Sequence, residues 1–183
     1  MTGSILLGIF IIILVLAAVL VVRTCSRQPT PAMTASVELD KGPRAREYGE
    51  QLSKMIQKET VSSRFDSDKT KYYEFHKILE ELFPLVHKTC EKHVFNGNLL
   101  FKWSGKGKAE PILLMSHQDV VEANGSWEHE PFGGYIDGEG KLWGRGTVDT
   151  KGSLYCIFRS VEELIAEGFQ PEGDVYIASS CTE

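Results

Sequence analysis

The 183-residue chain has no Cys-X-X-Cys pair, no internal repeat and no basic stripe. Its four cysteines, Cys25, Cys90, Cys156 and Cys181, stand far apart, which argues against a cysteine zinc cluster. A disulfide scaffold is also not called for, because a domain of this size can bury a core of its own. Basic residues are outnumbered by acidic ones, 20 against 25, for a net charge of −5. Residues 1–43 hold Arg23, Arg27 and Lys41 against Glu38 and Asp40, so the remainder stands at −6. An acidic domain of this kind is a poor partner for a phosphate backbone, and no nucleic-acid partner is expected. Aromatic and apolar content are ordinary, which excludes disorder for the bulk of the chain.

Charge is wholly missing from residues 5–22 (ILLGIFIIILVLAAVLVV). Eighteen helical residues reach about 27 Å, close to the hydrocarbon thickness of a bilayer. The leader Met1-Thr2-Gly3-Ser4 has no basic residue and the run is long, so the segment reads as a retained anchor over residues 1–25 rather than a cleaved signal. Arg23 and Arg27 follow it and favour a cytoplasmic location for what comes next. Residues 26–43, rich in Pro, Ser and Thr, read as a flexible linker. Localisation is thus expected to be single-pass membrane, with the side of the domain left open.

From Arg44 the pattern is helical to about Lys58, through Tyr48, Leu52, Met55 and Ile56. Tyr72, Phe75, Leu79, Leu82 and Phe83 mark a second helix, broken at Pro84, with further helix expected to about His93. Leu99, Phe101 and Trp103 alternate as a half-buried strand, and residues 111–115 (PILLM) read as a strand buried on both faces. A hairpin is expected over 135–143, an amphipathic helix over 150–167 and a last strand over 174–179. The fold class is α/β, a mixed sheet flanked by helices and preceded by one transmembrane helix.

Three loops carry candidate chemistry. His117-Gln118-Asp119 follows the apolar strand, at the carboxyl end where α/β sheets collect ligands. Residues i and i+2 of extended chain face alike, so His117 and Asp119 can serve one site. Gly144-Arg145-Gly146-Thr147-Val148-Asp149-Thr150-Lys151-Gly152 leads into the helix at 150–167. Asp149 can cap that helix or ligate a cation. Cys181-Thr182-Glu183 follows the last strand. Together these His, Asp and Glu side chains suit metal-assisted hydrolysis.

The order HQDVVEA, WEHEPFGG, DGEGKLWGRGTVDTKG, a helix and SSCTE resembles the di-zinc metallopeptidases of family twenty, the peptidase M20 type. That family includes aminoacylases, acetylornithine deacetylase, succinyl-diaminopimelate desuccinylase and carboxypeptidase S, whose branch the phrasing looks most like. The resemblance runs from about Arg44 to Glu183. It implies that His117 is a ligand to one zinc, Asp119 orients the site, Asp149 bridges two zincs and Glu183 is the general base. Trp127, Pro131 and Phe132 match a loop near the substrate. The resemblance implies two Zn²⁺ per complete site, a place that cobalt or manganese can also take. It further implies a peptide or N-acyl amino acid substrate, a homodimer only in the complete protein, and a non-cytoplasmic domain.

The second of the family's two adjacent glutamates and its later ligands have no counterpart in the 183 residues. Residues 44–183 are therefore read as the N-terminal part of a catalytic domain, truncated and inactive alone. The alternative is a non-catalytic, membrane-tethered binding domain.

Overall fold

The structure is a computed structural model that describes residues 2–26, 42–63 and 67–182. The chain divides into two units, one ending at Leu39 and the other starting at Asp40.

The first unit contains helix α1, Thr2–Ser26. Within it Ile5–Ser26 is long and apolar enough to cross a membrane, with a mean hydropathy of 3.6 and none of its span buried. A signal sequence near an N-terminus has the same length and composition. Most of the expected linker, 27–41, lies outside the described residues.

The second unit begins with α2 (Pro43–Gln57), α3 (Thr70–Leu82) and α4 (Pro84–Thr89). Pro43 and Pro84 each open a helix, where the missing N–H costs nothing. Strands β1 (Glu91–Phe95), β2 (Asn98–Trp103) and β3 (Ile112–Met115) follow. After the short hairpin β4 (Tyr135–Ile136) and β5 (Leu142–Trp143) come α5 (Lys151–Ala166) and β6 (Val175–Ser179). Four strands form one sheet in the order β1-β2-β6-β3. β1, β2 and β6 are antiparallel neighbours, whereas β3 runs parallel to β6.

Alternation decides which face of this sheet is buried. Leu99, Phe101 and Trp103 on β2, with Val175 and Ile177 on β6, enter the core. Leu154, Phe158 and Val161 of α5 join them, with Phe75 and Leu79 of α3 and Phe83 and Val86 at α4. Phe158 meets Phe101 edge-on, with ring centroids 5.3 Å apart.

Two expectations are corrected. Helix does not continue to His93: α4 ends at Thr89 and residues 91–95 form β1. Asn96 and Gly97, at φ 49° and 87°, turn this strand back into β2. Asn-Gly is the pair that tolerates such a tight hairpin turn, and its signal outweighs the weak helical pattern before it. The strand at 112–115 is not buried on both faces. It lies at the sheet edge, and Ile112, Leu113 and Met115 are 54%, 55% and 69% exposed. A continuous apolar run reports a hydrophobic strand but not which of its sides is covered.

The entry to α4 is held by a buried carboxylate on α5. Glu162 Oε1 accepts from the Leu85 amide at 2.9 Å, and Oε2 accepts from the Val86 amide at 2.8 Å. Replacing Glu162 with Ala strands these donors, which is expected to cost about 2 kcal/mol. Chemical denaturation of the whole chain in detergent checks this, and Glu162→Gln, which keeps one acceptor, is expected to lose less.

Candidate active site

β3 and β6 run parallel, so their carboxyl ends open on one side of the sheet. The pairing continues past both strands: the Ser116 amide donates to Ala178 O at 3.1 Å, and the Gln118 amide to Ser180 O at 2.9 Å. The loop at 116–120 therefore lies beside the chain that carries Cys181 and Thr182. On its other side Thr60 Oγ1 donates to Gln118 O at 2.7 Å, and Val61 and Val120 form a parallel bridge.

The loop before α5 joins this place from below. Thr150 Oγ1 donates to His117 O at 3.0 Å, and Ser116 Oγ lies 2.9 Å from Thr150 Oγ1. Gly152 is required by close approach, since a Cβ there would lie 2.3 Å from Thr147 O. Asp149 does not cap α5. Thr150 is the cap position, no side chain bonds there, and the Asp149 side chain is 71% exposed. Beside these loops lies a cleft of about 470 Å³, whose lining includes Asn98, Ser116, His117, Thr150 and Ser180.

His117, Asp119 and Asp149 are brought together. His117 Nδ1 lies 3.0 Å from the Asp119 carbonyl oxygen and 3.4 Å from its carboxylate. A carbonyl only accepts, so Nδ1 carries the proton. Nε2 lies 3.1 Å from Asp149 Oδ1, as a donor to the carboxylate in the doubly protonated ring and as a second acceptor facing it in the neutral one. Two acceptors at that distance call for a proton or a cation between them. This donor set fits a metal: a histidine fixed through Nδ1 presents Nε2, and a solvent-facing carboxylate stands opposite. It supplies two ligands, where a zinc site takes three or four. Among the described residues no group of three or more His, Cys, Asp or Glu side chains stands close enough to hold a metal. Glu183 lies outside the described residues.

Asp119 is fully buried, and Lys151 supplies positive charge nearby. Lys151 is itself fully buried. Its Nζ donates to Met55 O at 3.0 Å and Lys58 O at 2.6 Å, satisfying carbonyls at the end of α2. Burial, with Lys58 adding to it, pushes the Lys151 ammonium down to about 7. Lys151 lay in the glycine-rich motif, but nothing in the sequence marks it as a tie to α2.

The sequence likewise carries no signal for Gln118 beyond its place between His117 and Asp119. Gln118 is fully buried, and His76 Nε2 donates to its Oε1 at 2.9 Å. Its Nε2 donates to Gly97 O at 2.7 Å. Trp127 is partly exposed, under the Arg145 guanidinium at 4.9 Å, and its Nε1 donates to Asn124 O. Phe132 is half-buried on the same loop.

Residues 113–183 match the model of peptidase family M20/M25/M40. The chain belongs to this family. It is 34% identical over 176 residues to the probable carboxypeptidase S-like 2 of Dictyostelium discoideum, an alignment covering 91% of this chain and 34% of that protein. It is 34% identical over 187 residues to the N-fatty-acyl-amino acid synthase/hydrolase PM20D1 of Xenopus tropicalis, covering 96% of this chain and 36% of that one. The chain thus spans about a third of the length of these curated relatives. Its fold matches human carnosine dipeptidase 1 with a TM-score of 0.62 at 15% identity, covering 76% of this chain and 32% of that one.

Burial pushes the His76 imidazole down from 6.5 to about 4, against the hydrogen bond to Gln118 and helped by Lys92. The unfolded chain therefore binds more protons than the folded one between these values. Stability is expected to fall as pH drops from 6.5 towards 4, by up to roughly 3 kcal/mol. Denaturation of the parent and of His76→Gln across this range checks the sign, and the variant is expected to have the flatter profile.

Proposed function

We propose that this chain carries part of the active site of a membrane-tethered di-zinc hydrolase that cleaves peptide or N-acyl amino acid amide bonds, as a carboxypeptidase does. The observation that carries the reading is the convergence of His117 Nε2 and Asp149 Oδ1, with Nδ1 tied to Asp119. The motif order and the family membership support it. The names of the relatives span both substrate types.

His117 and Asp149 are the metal ligands in this reading, with further ligands drawn from outside the described residues. Bound zinc would supply Lewis acidity towards the scissile carbonyl and lower the pKa of the attacking water. Cobalt or manganese suits the same ligand types. Asp119 keeps the His117 ring oriented by holding charge against its Nδ1–H. Glu183 takes the proton from the attacking water and returns it to the leaving amine. Trp127 and Phe132 belong to the loop that receives substrate. Residues 1–25 anchor the chain in a membrane, 26–43 tether it, and 44–183 contribute to the catalytic domain.

The test is a zinc determination and a hydrolysis assay on the product of the complete gene, with free-carboxyl peptides and N-acyl amino acids as substrates. Asp149→Ala and His117→Ala are expected to lose bound zinc and activity together. Glu183→Gln is expected to keep zinc and lose about 10²- to 10⁴-fold in kcat. Full activity in Asp149→Ala would overturn the assignment. For the anchor, alkaline carbonate is expected to leave the intact chain in the membrane pellet. A shortened chain in the supernatant identifies a cleaved signal instead.

A further inference from the structure

The β1–β2 turn reaches both loops that carry the candidate ligands and base. Gly97 O accepts from Gln118 Nε2 at 2.7 Å, between His117 and Asp119. One residue on, Asn98 Oδ1 accepts from the Cys181 amide at 2.9 Å, two residues before Glu183. Asn96 O receives the Cys181 thiol at 3.4 Å. Asn98 Nδ2 donates back to Phe95 O at 2.8 Å, which holds the Asn98 side chain in the turn. On the far side of Gln118, His76 of α3 fills the remaining amide oxygen. Gln118, His76 and Cys181 are all buried. The turn has little freedom: Asn96 and Gly97 both have positive φ, and a Cβ on Gly97 would stand 3.1 Å from the Cys181 sulfur.

We infer that Asn98, Gln118 and His76 are positioning residues, forming a bracket that holds the His117–Asp119 loop and the Cys181–Thr182 segment in one fixed relation. The bracket acts on the chain at Gln118, between His117 and Asp119, and at Cys181, two residues ahead of Glu183 in the sequence. Gln118 suits the task because one amide group both accepts and donates. The Gln118 bonds to His76 and Gly97 are buried, where water does not compete with them, and the Asn98 bond to Cys181 is half-buried beside the cleft. What the two loops are for rests on the metallohydrolase reading above, whereas their coupling does not.

The experiment is NMR on the whole chain in detergent micelles, without metal. It follows amide exchange at Gln118 and Cys181 and the ring-nitrogen signals of His117. Gln118→Met is expected to speed exchange at Cys181 by about tenfold or more and to move the His117 ring signals. Asn98→Ala is expected to speed exchange at Gln118, and Asn98→Asp, which keeps an acceptor for Cys181, restores protection. Val161→Ala is the control for a general loss of stability, because it truncates the core roughly 16 Å along α5 from Thr150 and is expected to leave the His117 signals in place. Unchanged Cys181 exchange in Gln118→Met, or the same changes in Val161→Ala, overturns the bracket. If Gln118→Met does not fold, unchanged Gln118 exchange in Asn98→Ala overturns it. Zinc added to the parent reports separately: His117 signals that zinc leaves unmoved count against the metal reading and not against the bracket.

Discussion

Parallel neighbours in a sheet end on the same side, and β3 and β6 are such a pair, with Leu114 opposite Ile177 and Met115 opposite Ala178. The candidate site follows from that register. It sets the chain after Met115 beside the chain after Ser179, and two main-chain hydrogen bonds extend the pairing past the strand ends. An antiparallel arrangement of the same strands would send these two loops to opposite ends of the sheet. The connection between them includes α5, whose first turn therefore returns close to the loop following β3. Thr150 bonded to His117 O and to Ser116 records that meeting.

The core makes this register hold. β6 sits between β2 and β3, and its Val175 and Ile177 face the same apolar layer as Phe101 and Phe158. A slip by one residue would turn these side chains away from the helices and bring Tyr176 and Ala178 inwards. Polar ties around the site are then placed against a rigid background. Lys151 reaches the end of α2, Glu162 reaches the start of α4, and Gln118 reaches α3 and the β1–β2 turn. In each case one buried polar side chain satisfies groups that the ends of a helix or a turn leave open.

Much of the fold was legible along the chain because its signals are local. The spacing of Leu154, Phe158 and Val161 announces a helix, Leu99, Phe101 and Trp103 announce a strand, and each proline that opens a helix stands where the pattern breaks. Two signals misled. The residues at 91–95 have no strong period, and only the Asn96–Gly97 turn reveals the strand that leads into it. The apolar run at 112–115 reads as central, yet its position at the edge depends on which strands pair with it.

The sequence by itself determined most of the helix and strand types, residues 91–95 excepted, the apolar N-terminal run, and the order of His117, Asp119, Asp149 and Glu183 that marks a family. These depend on side-chain identity and short spacings, which a chain carries with it before it folds. Only the tertiary structure decided that the His117 ring points Nε2 at Asp149 and that Gln118 is clamped by His76 and Gly97. It also decided that Lys151 belongs to the end of α2. Those contacts join residues from 21 to 96 positions apart. They arise from strand pairing and burial, and no local pattern of residues encodes them.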